Sequence, residues 1–219
     1  MRQIGISDQT LFTPAARAAG FRQKLEAARK LDHLGMEAVE TPRLSGDEAD
    51  MLLMRSLCGV VKRSTLACHA GFTVQSVENA WEAVKNAARP RLVISVPVSS
   101  AQMEYVCHLK PPKVIALIEE LVKTAKSLCT DVEFACEDMT RSEPDFALTA
   151  VKTAVSAGAG RITICDSAGL SMPDEMAQLV KMVKAEIGEN VTLCVRCGND
   201  LNLAAACAVA SLSAGADEI

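Results

Sequence analysis

Apolar residues recur along this chain in two alternating rhythms. A short β-branched run is followed by a turn, then by a stretch with apolar residues every three or four positions, and the pattern returns at a period of about thirty residues, the size of one strand–helix unit. The runs predict strands near Gln3–Ser7, Met36–Glu40, Ser64–Cys68, Arg91–Pro97, Val132–Cys136, Arg161–Cys165 and Thr192–Arg196. Between them the longer period predicts helices near Phe21–Leu34, Asp47–Val61, Val74–Ala87, Lys113–Leu128, Pro144–Ser156, Pro173–Ile187 and Leu201–Ser213. Ser142-Glu-Pro-Asp and Ser171-Met-Pro-Asp-Glu read as helix starts, and Gly35 and Gly158 sit where helices should stop.

Repeated strand–helix units with the beginning of an eighth strand at Ala216–Ile219 predict an α/β fold: a TIM-type (β/α)8 barrel in a single domain, 1–219, ending at the start of strand eight. An open doubly wound sheet has the same alternation. It would normally carry a glycine-rich phosphate turn after its first strand, and Thr10–Ala16 holds no glycine. A barrel that stops there leaves two strand edges to pair. The expectation is therefore a fragment of a longer barrel, or a homo-oligomer whose neighbour covers the gap.

Composition narrows the function classes. The 219 residues are 49% apolar, enough for one filled core, and only 3% aromatic. A net charge of −4 with no Lys/Arg cluster gives no footprint for nucleic acid. The amino terminus lacks the apolar run of a signal peptide, and no apolar stretch approaches the roughly 20 residues that span a bilayer. With no secretion signal, the nine cysteines read as reduced core residues of a cytoplasmic protein, and membrane partners are not expected.

The most informative stretch is Leu193-Cys-Val-Arg-Cys-Gly-Asn-Asp-Leu-Asn-Leu-Ala204, a strand running into a turn and then a helix. Alternation along a strand puts Cys194, Arg196 and Gly198 on one face and Val195 and Cys197 on the other. Cys194 and Cys197 therefore point apart, and the C-x-x-C spacing reads as core residues and not as half of a zinc site. Cys165 and Cys194 should point into the barrel.

This stretch resembles the seventh strand of the acyl-CoA/2-oxoacid condensing barrels, the isopropylmalate, homocitrate and citramalate synthases, and of the related hydroxymethylglutaryl-CoA lyases. Their pattern there is His-x-His-Asn-Asp-x-Gly-x-Ala, matched by Asn199, Asp200 and Ala204. The likeness continues through Ser7-Asp-Gln-Thr-Leu-Phe-Thr13, Asn79–Ala87 with Pro90-Arg-Leu92, Val132–Ser142 and Ile164-Cys-Asp-Ser-Ala-Gly169. It implies a barrel whose chemistry sits at the carboxyl ends of the strands. It also implies condensation of an acyl-CoA with a 2-oxoacid, and a protein that commonly dimerises.

In the family a divalent metal polarises the oxoacid carbonyl, held by an acidic residue after the first strand and by two histidines. The matching positions here are Thr13, Arg196 and Gly198, and the catalytic arginine has become Phe12. A guanidinium has no lone pair to give and a glycine has no side chain, so no metal is expected. Glu40 matches the glutamate that partners the missing arginine. An inward carboxylate needs a counter-charge, and Arg196, facing the same cavity, should pair with Glu40 or with an anionic ligand. Resemblance further places Glu137, Arg141 and Ser167 at the substrate end, His69 where relatives often carry arginine, and Ser99, Ser100 and Gln102 in the loop after the fourth strand. His33 reads as a helix-end residue, and His108 as a loop residue able to approach a ligand.

Two functional readings follow. In one the chain is an isopropylmalate/homocitrate synthase-like acyltransferase with altered chemistry and acyl-CoA as substrate. Arg196 would then serve as electrophile and Glu40 or Glu137 as the proton-transfer group, with His69, Arg141, Ser167 and Arg196 holding the substrate. In the other the same scaffold binds a small carboxylate, or assembles with an active relative, without catalysis.

Overall fold

The computed structural model describes residues 3–44 and 47–219. Seven parallel strands hydrogen-bond in sequence order: β1 (Ser7–Asp8), β2 (Ala38–Thr41), β3 (Thr65–Ala70), β4 (Pro90–Pro97), β5 (Val132–Glu137), β6 (Arg161–Asp166) and β7 (Thr192–Cys197). Between and after them lie α1 (Pro14–Ala18), α2 (Phe21–Leu34), α3 (Glu48–Val60), α4 (Val74–Val84), α5 (Ser100–Gln102), α6 (Pro111–Leu128), α7 (Pro144–Ala157), α8 (Pro173–Glu186) and α9 (Ala204–Ala214). The architecture is the (β/α)8 barrel that the alternation predicts, and not an open sheet.

Local chemistry sets most of these boundaries. Asp47 and Thr73 cap α3 and α4 by accepting the N–H groups of Asp50 and Ser76. Proline opens α6, α7 and α8, where its missing N–H is not needed. Gly35 and Gly158 end α2 and α7 in the left-handed region, at φ 78° and 112°.

Most bounds shift by one to three residues, as where β2 starts at Ala38 and not Met36 and α4 stops at Val84 and not Ala87, and three differences are larger in consequence. The first strand pairs only at Ser7–Asp8, with an isolated bridge at Gly5, instead of running over Gln3–Ser7. Helix α1 buries no residue, so it has no apolar stripe to betray it. The last helix begins at Ala204, not Leu201, because Asn199–Asn202 forms a turn with Asn202 at φ 58°.

The tail does more than approach an eighth strand. Gly5 N–H donates to the Asp217 carbonyl (3.0 Å), Ser7 N–H to that of Ile219 (2.8 Å) and Val195 N–H to that of Glu218 (3.0 Å). Residues 217–219 thus join β1 to β7 at the lower rim. The edges expected to lie open remain apart only above Ile219, around a cavity of about 360 Å³ bordered by Ser7, Gln9, Cys194 and Arg196.

Alternation along the strands divides the buried residues. Val39, Leu66, Leu92, Ile94, Phe134, Ile162 and Leu193 join the large apolar cluster. The inward positions stack in layers. At the bottom, Arg91, Glu133, Arg161 and Glu218 form a charged floor. Above it Ala38, Ala67, Val93, Ala135 and Cys165 make a separate, fully buried apolar layer of small residues. On top, at the carboxyl ends of the strands, stand Glu40, His69, Ser95, Glu137 and Arg196. The small layer is a septum between two polar sets, open at the seam between β1 and β7, where the cavity of about 360 Å³ touches both Glu40 and Arg196 above and Glu133 and Glu218 below.

Candidate functional site at the barrel mouth

Above the septum is a cavity of about 740 Å³ whose lining includes Gln9, Phe12, His69, Ser95, Glu137 and Arg196. Glu40, on β2, is its electrostatic hub. Its Oε2 accepts from His69 Nε2 at 2.8 Å, from Gln9 Nε2 at 2.9 Å and from Arg196 Nη2 at 2.9 Å. The expected pairing of Arg196 with Glu40 is therefore present.

Burial alone would push the Glu40 carboxyl up. The His69 hydrogen bond, the Arg196 charge and the Gln9 hydrogen bond outweigh it and bring the group down to about 2. Glu40 is an anion at any ordinary pH.

Arg196 reaches a second carboxylate, Glu137 Oε1, at 3.3 Å, and its Nη1 lies 3.7 Å from Cys165 Sγ. Burial works to lower its pKa, but Cys165, Glu40 and Glu137 hold it above the ordinary arginine value. Burial also pushes the Cys165 thiol well up, so it stays neutral, and the two carboxylates are the charges the guanidinium meets. Glu137 is braced in turn by Ser167, whose hydroxyl donates to Glu137 Oε2 (2.9 Å) and accepts the Asp138 N–H (2.9 Å).

The remaining positions separate. Arg141 turns to Asp138 in a two-point pair of 2.8 and 2.7 Å and stands outside the cavity lining. Ser99 hydrogen-bonds the buried Asp138, and Gln102 lines the cavity. His108 ends the turn after α5 in a left-handed conformation, and neither it nor Ser100 lines the cavity. His33 bonds the Arg29 carbonyl on α2, as a helix-end residue should. Cys194 and Cys165 are buried inward, while Cys197 packs against the outer core, so the C-x-x-C pair points apart as expected.

Three residues of this site are not singled out by the pattern. Gln9 follows a strand too short to read. Asp138 takes φ 59° just past Glu137, a conformation that short polar side chains tolerate. Ser95 is the one legible in retrospect, as a polar residue at an inward position two beyond Val93.

The donor chemistry at the positions matching the metal ligands does not suit a divalent cation. The Thr13 hydroxyl is committed to helix capping, donating to the Thr10 carbonyl (2.8 Å) and accepting the Ala16 N–H (3.2 Å). Arg196 brings a positive charge. At Gly198 a Cβ would lie 2.6 Å from the Asp166 carbonyl oxygen and 2.7 Å from the Gly169 nitrogen, so a ligating side chain has no room without backbone movement. Even Gly198→Ala is expected to lower stability by about 1–3 kcal/mol, since overpacking here meets main chain. Urea unfolding tests this; a loss under ~0.5 kcal/mol would show that the turn yields freely.

Residues 15–219 match the family model described as HMGL-like. This chain belongs to the HMGL-like family. A 2-isopropylmalate synthase of Campylobacter hominis is 31% identical over 197 residues, covering 90% of this chain and 39% of that protein. A chloroplastic methylthioalkylmalate synthase 1-1 of Eutrema japonicum is 33% identical over 209 residues, covering 90% and 41%. The HMGL-like chain spans roughly two fifths of the length of these relatives. In three dimensions it is similar to HMG-CoA lyases of Brucella melitensis (TM-score 0.79, 14% identity, covering 100% of this chain and 80% of that one) and Pseudomonas aeruginosa (0.80, 13%, 99% and 74%). Both likenesses agree with the resemblance drawn from the motifs. Among the described residues, no helix is long and apolar enough to cross a membrane.

Proposed function

We propose that the barrel-mouth cavity binds a small carboxylate-bearing acyl compound, a 2-oxoacid or a short acyl thioester, and does so without a divalent cation. The relatives carrying the name 2-isopropylmalate synthase supply the ligand class. The observation that carries the metal-independent part is Arg196, whose guanidinium stands at a matching ligand position and is held there by Glu40 and Glu137. Arg17, Lys24 and Arg43 line the same cavity and give its rim the charge to draw a carboxylate inward.

Within this reading Arg196 polarises the ligand's carbonyl, and Glu137 is the proton-transfer group. Glu40, ionised down to about pH 2, is too weak a base for that work and positions Arg196 and His69 instead. A second reading, a carboxylate-binding protein without turnover, is favoured by one observation: both terminal nitrogens of Arg196 already face a carboxylate.

Calorimetry with pyruvate, 2-oxoglutarate and 2-oxoisovalerate is expected to give the same affinity in EDTA as in magnesium, manganese or zinc. Binding that appears only with a metal would overturn the reading. Product formation from acetyl-CoA and the bound oxoacid separates the enzyme from the binding protein.

A further inference from the structure

Beyond its hold on Arg196, Glu40 heads a chain through His69 to Ser95 that the carboxylate-binding reading leaves unused. His69 Nε2 lies 2.8 Å from Glu40 Oε2, and His69 Nδ1 lies 3.1 Å from Ser95 Oγ. The three come from adjacent strands, β2, β3 and β4, at inward positions just above the septum. All are buried, yet His69 and Ser95 line the mouth cavity. Phe12 packs edge-on against the imidazole, with ring centroids 5.0 Å apart, and fixes its plane. We propose that Ser95 is a nucleophile activated by His69 and that this chain transfers acyl groups from thioesters through a covalent acyl-serine.

The electrostatics assign the protons. Glu40 is an anion, so the imidazole places its N–H on Nε2, toward Glu40, and leaves the Nδ1 lone pair facing the Ser95 hydroxyl. This is the arrangement in which a carboxylate selects the tautomer, the imidazole acts as base and the hydroxyl attacks. In the forward step Ser95 Oγ bonds to the thioester carbonyl carbon while its proton passes to His69 Nδ1. The carbon–sulfur bond then breaks and the leaving thiolate takes that proton. The products are a serine ester and a free thiol. Water, deprotonated by the same Nδ1, attacks the ester and returns Ser95 and a carboxylic acid. The balance is thioester plus water to acid plus thiol. Gln102 and Arg196 on the cavity wall are the donors available to the developing oxyanion.

The test is intact-mass spectrometry and peptide mapping of the 219-residue chain after exposure to a fluorophosphonate, and separately to S-acetyl-N-acetylcysteamine. One adduct, on Ser95, is expected. Ser95→Ala should remove it in a chain that still unfolds cooperatively, and His69→Gln should slow acylation at least about a hundredfold with Ser95 still present. Glu40 acts through His69, so Glu40→Gln should lower the maximal acylation rate by a larger factor than it raises the half-saturating thioester concentration, the latter through its hold on Arg196. No adduct, an adduct on another residue, or an unchanged rate in His69→Gln would each overturn the proposal. It shares its cavity with the carboxylate-binding reading. Calorimetric binding without labelling sinks the nucleophile alone, and loss of both sinks the ligand class as well.

Discussion

Arg91→Met is expected to destabilise the protein by about 3–5 kcal/mol, a sizeable share of a typical domain's stability. Arg91 is only 1% exposed, the largest fully buried side chain among the described residues. Its guanidinium lies 3.0 Å from Asp131, 3.3 Å from Glu133 and 3.5 Å from Glu218, with Glu37 at 3.8 Å. The damage comes less from the lost attraction than from what remains, since Glu133 and Glu218 would stay buried with less positive charge beside them. Arg161 offsets part of this, reaching Glu218 at 2.6 Å and Asp131 at 3.4 Å. Arg91→Lys keeps the charge but loses the fork, and should fall between wild type and Arg91→Met. Urea midpoints at constant m-value give the answer; a cost under about 1 kcal/mol would mean that the floor relaxes or takes up water.

This floor also fastens the ends of the barrel. Glu218 is bonded by Ser7 on β1 and Arg161 on β6, while its own backbone bridges Gly5 and Cys194. One carboxylate thus ties the first strand, the sixth and the tail. Loosening by Arg91→Met should therefore appear first as faster amide exchange at Ser7, Val195 and Ile219, ahead of the strands between them.

How much of this is legible in the chain depends on the range of the interaction. The amphipathic helices and central strands are read to within two or three residues, because periodicity, capping residues and stop glycines are local signals. The ends of the barrel are not. Ser7–Asp8 is held by pairing with Ala38 and Val39 and by the tail, partners that a window around residue 7 does not contain. The mouth is partly legible: strand alternation puts Glu40 and Arg196 on inward faces, and an inward carboxylate requires a cation. The contact of Ser95 with His69 is 26 residues long in sequence and depends on the register of β3 against β4, where His69 sits beside Val93. Inwardness can be read from a pattern; register across a parallel pair is set by the whole barrel.

Arg196→Met should show the electrostatic design of the mouth as a pH dependence. The guanidinium holds Glu40 at 2.9 Å and Glu137 at 3.3 Å, and it is more accessible than Arg91, so the cost near pH 7 should be smaller, about 2–3 kcal/mol. The folded Glu40 titrates at about 2, against an ordinary 4.5 in the unfolded chain. A depressed carboxyl contributes stability that is fully present above the unfolded pKa and is lost as pH falls through 4.5 toward 2. In wild type that contribution is on the order of 3 kcal/mol at pH 7. Removing the guanidinium raises the folded pKa of Glu40 and shrinks the contribution. Once Glu40 is protonated in both proteins, Arg196 no longer has that anion to hold. The stability gap should therefore be widest above pH 5 and narrow steadily between pH 4.5 and 2. Urea unfolding of both proteins at pH 7, 5 and 3 measures it. A gap that stays constant across that range would show that Arg196 stabilises the mouth by packing its stem against the barrel wall, and that Glu40 is kept ionised by His69 and Gln9 without it.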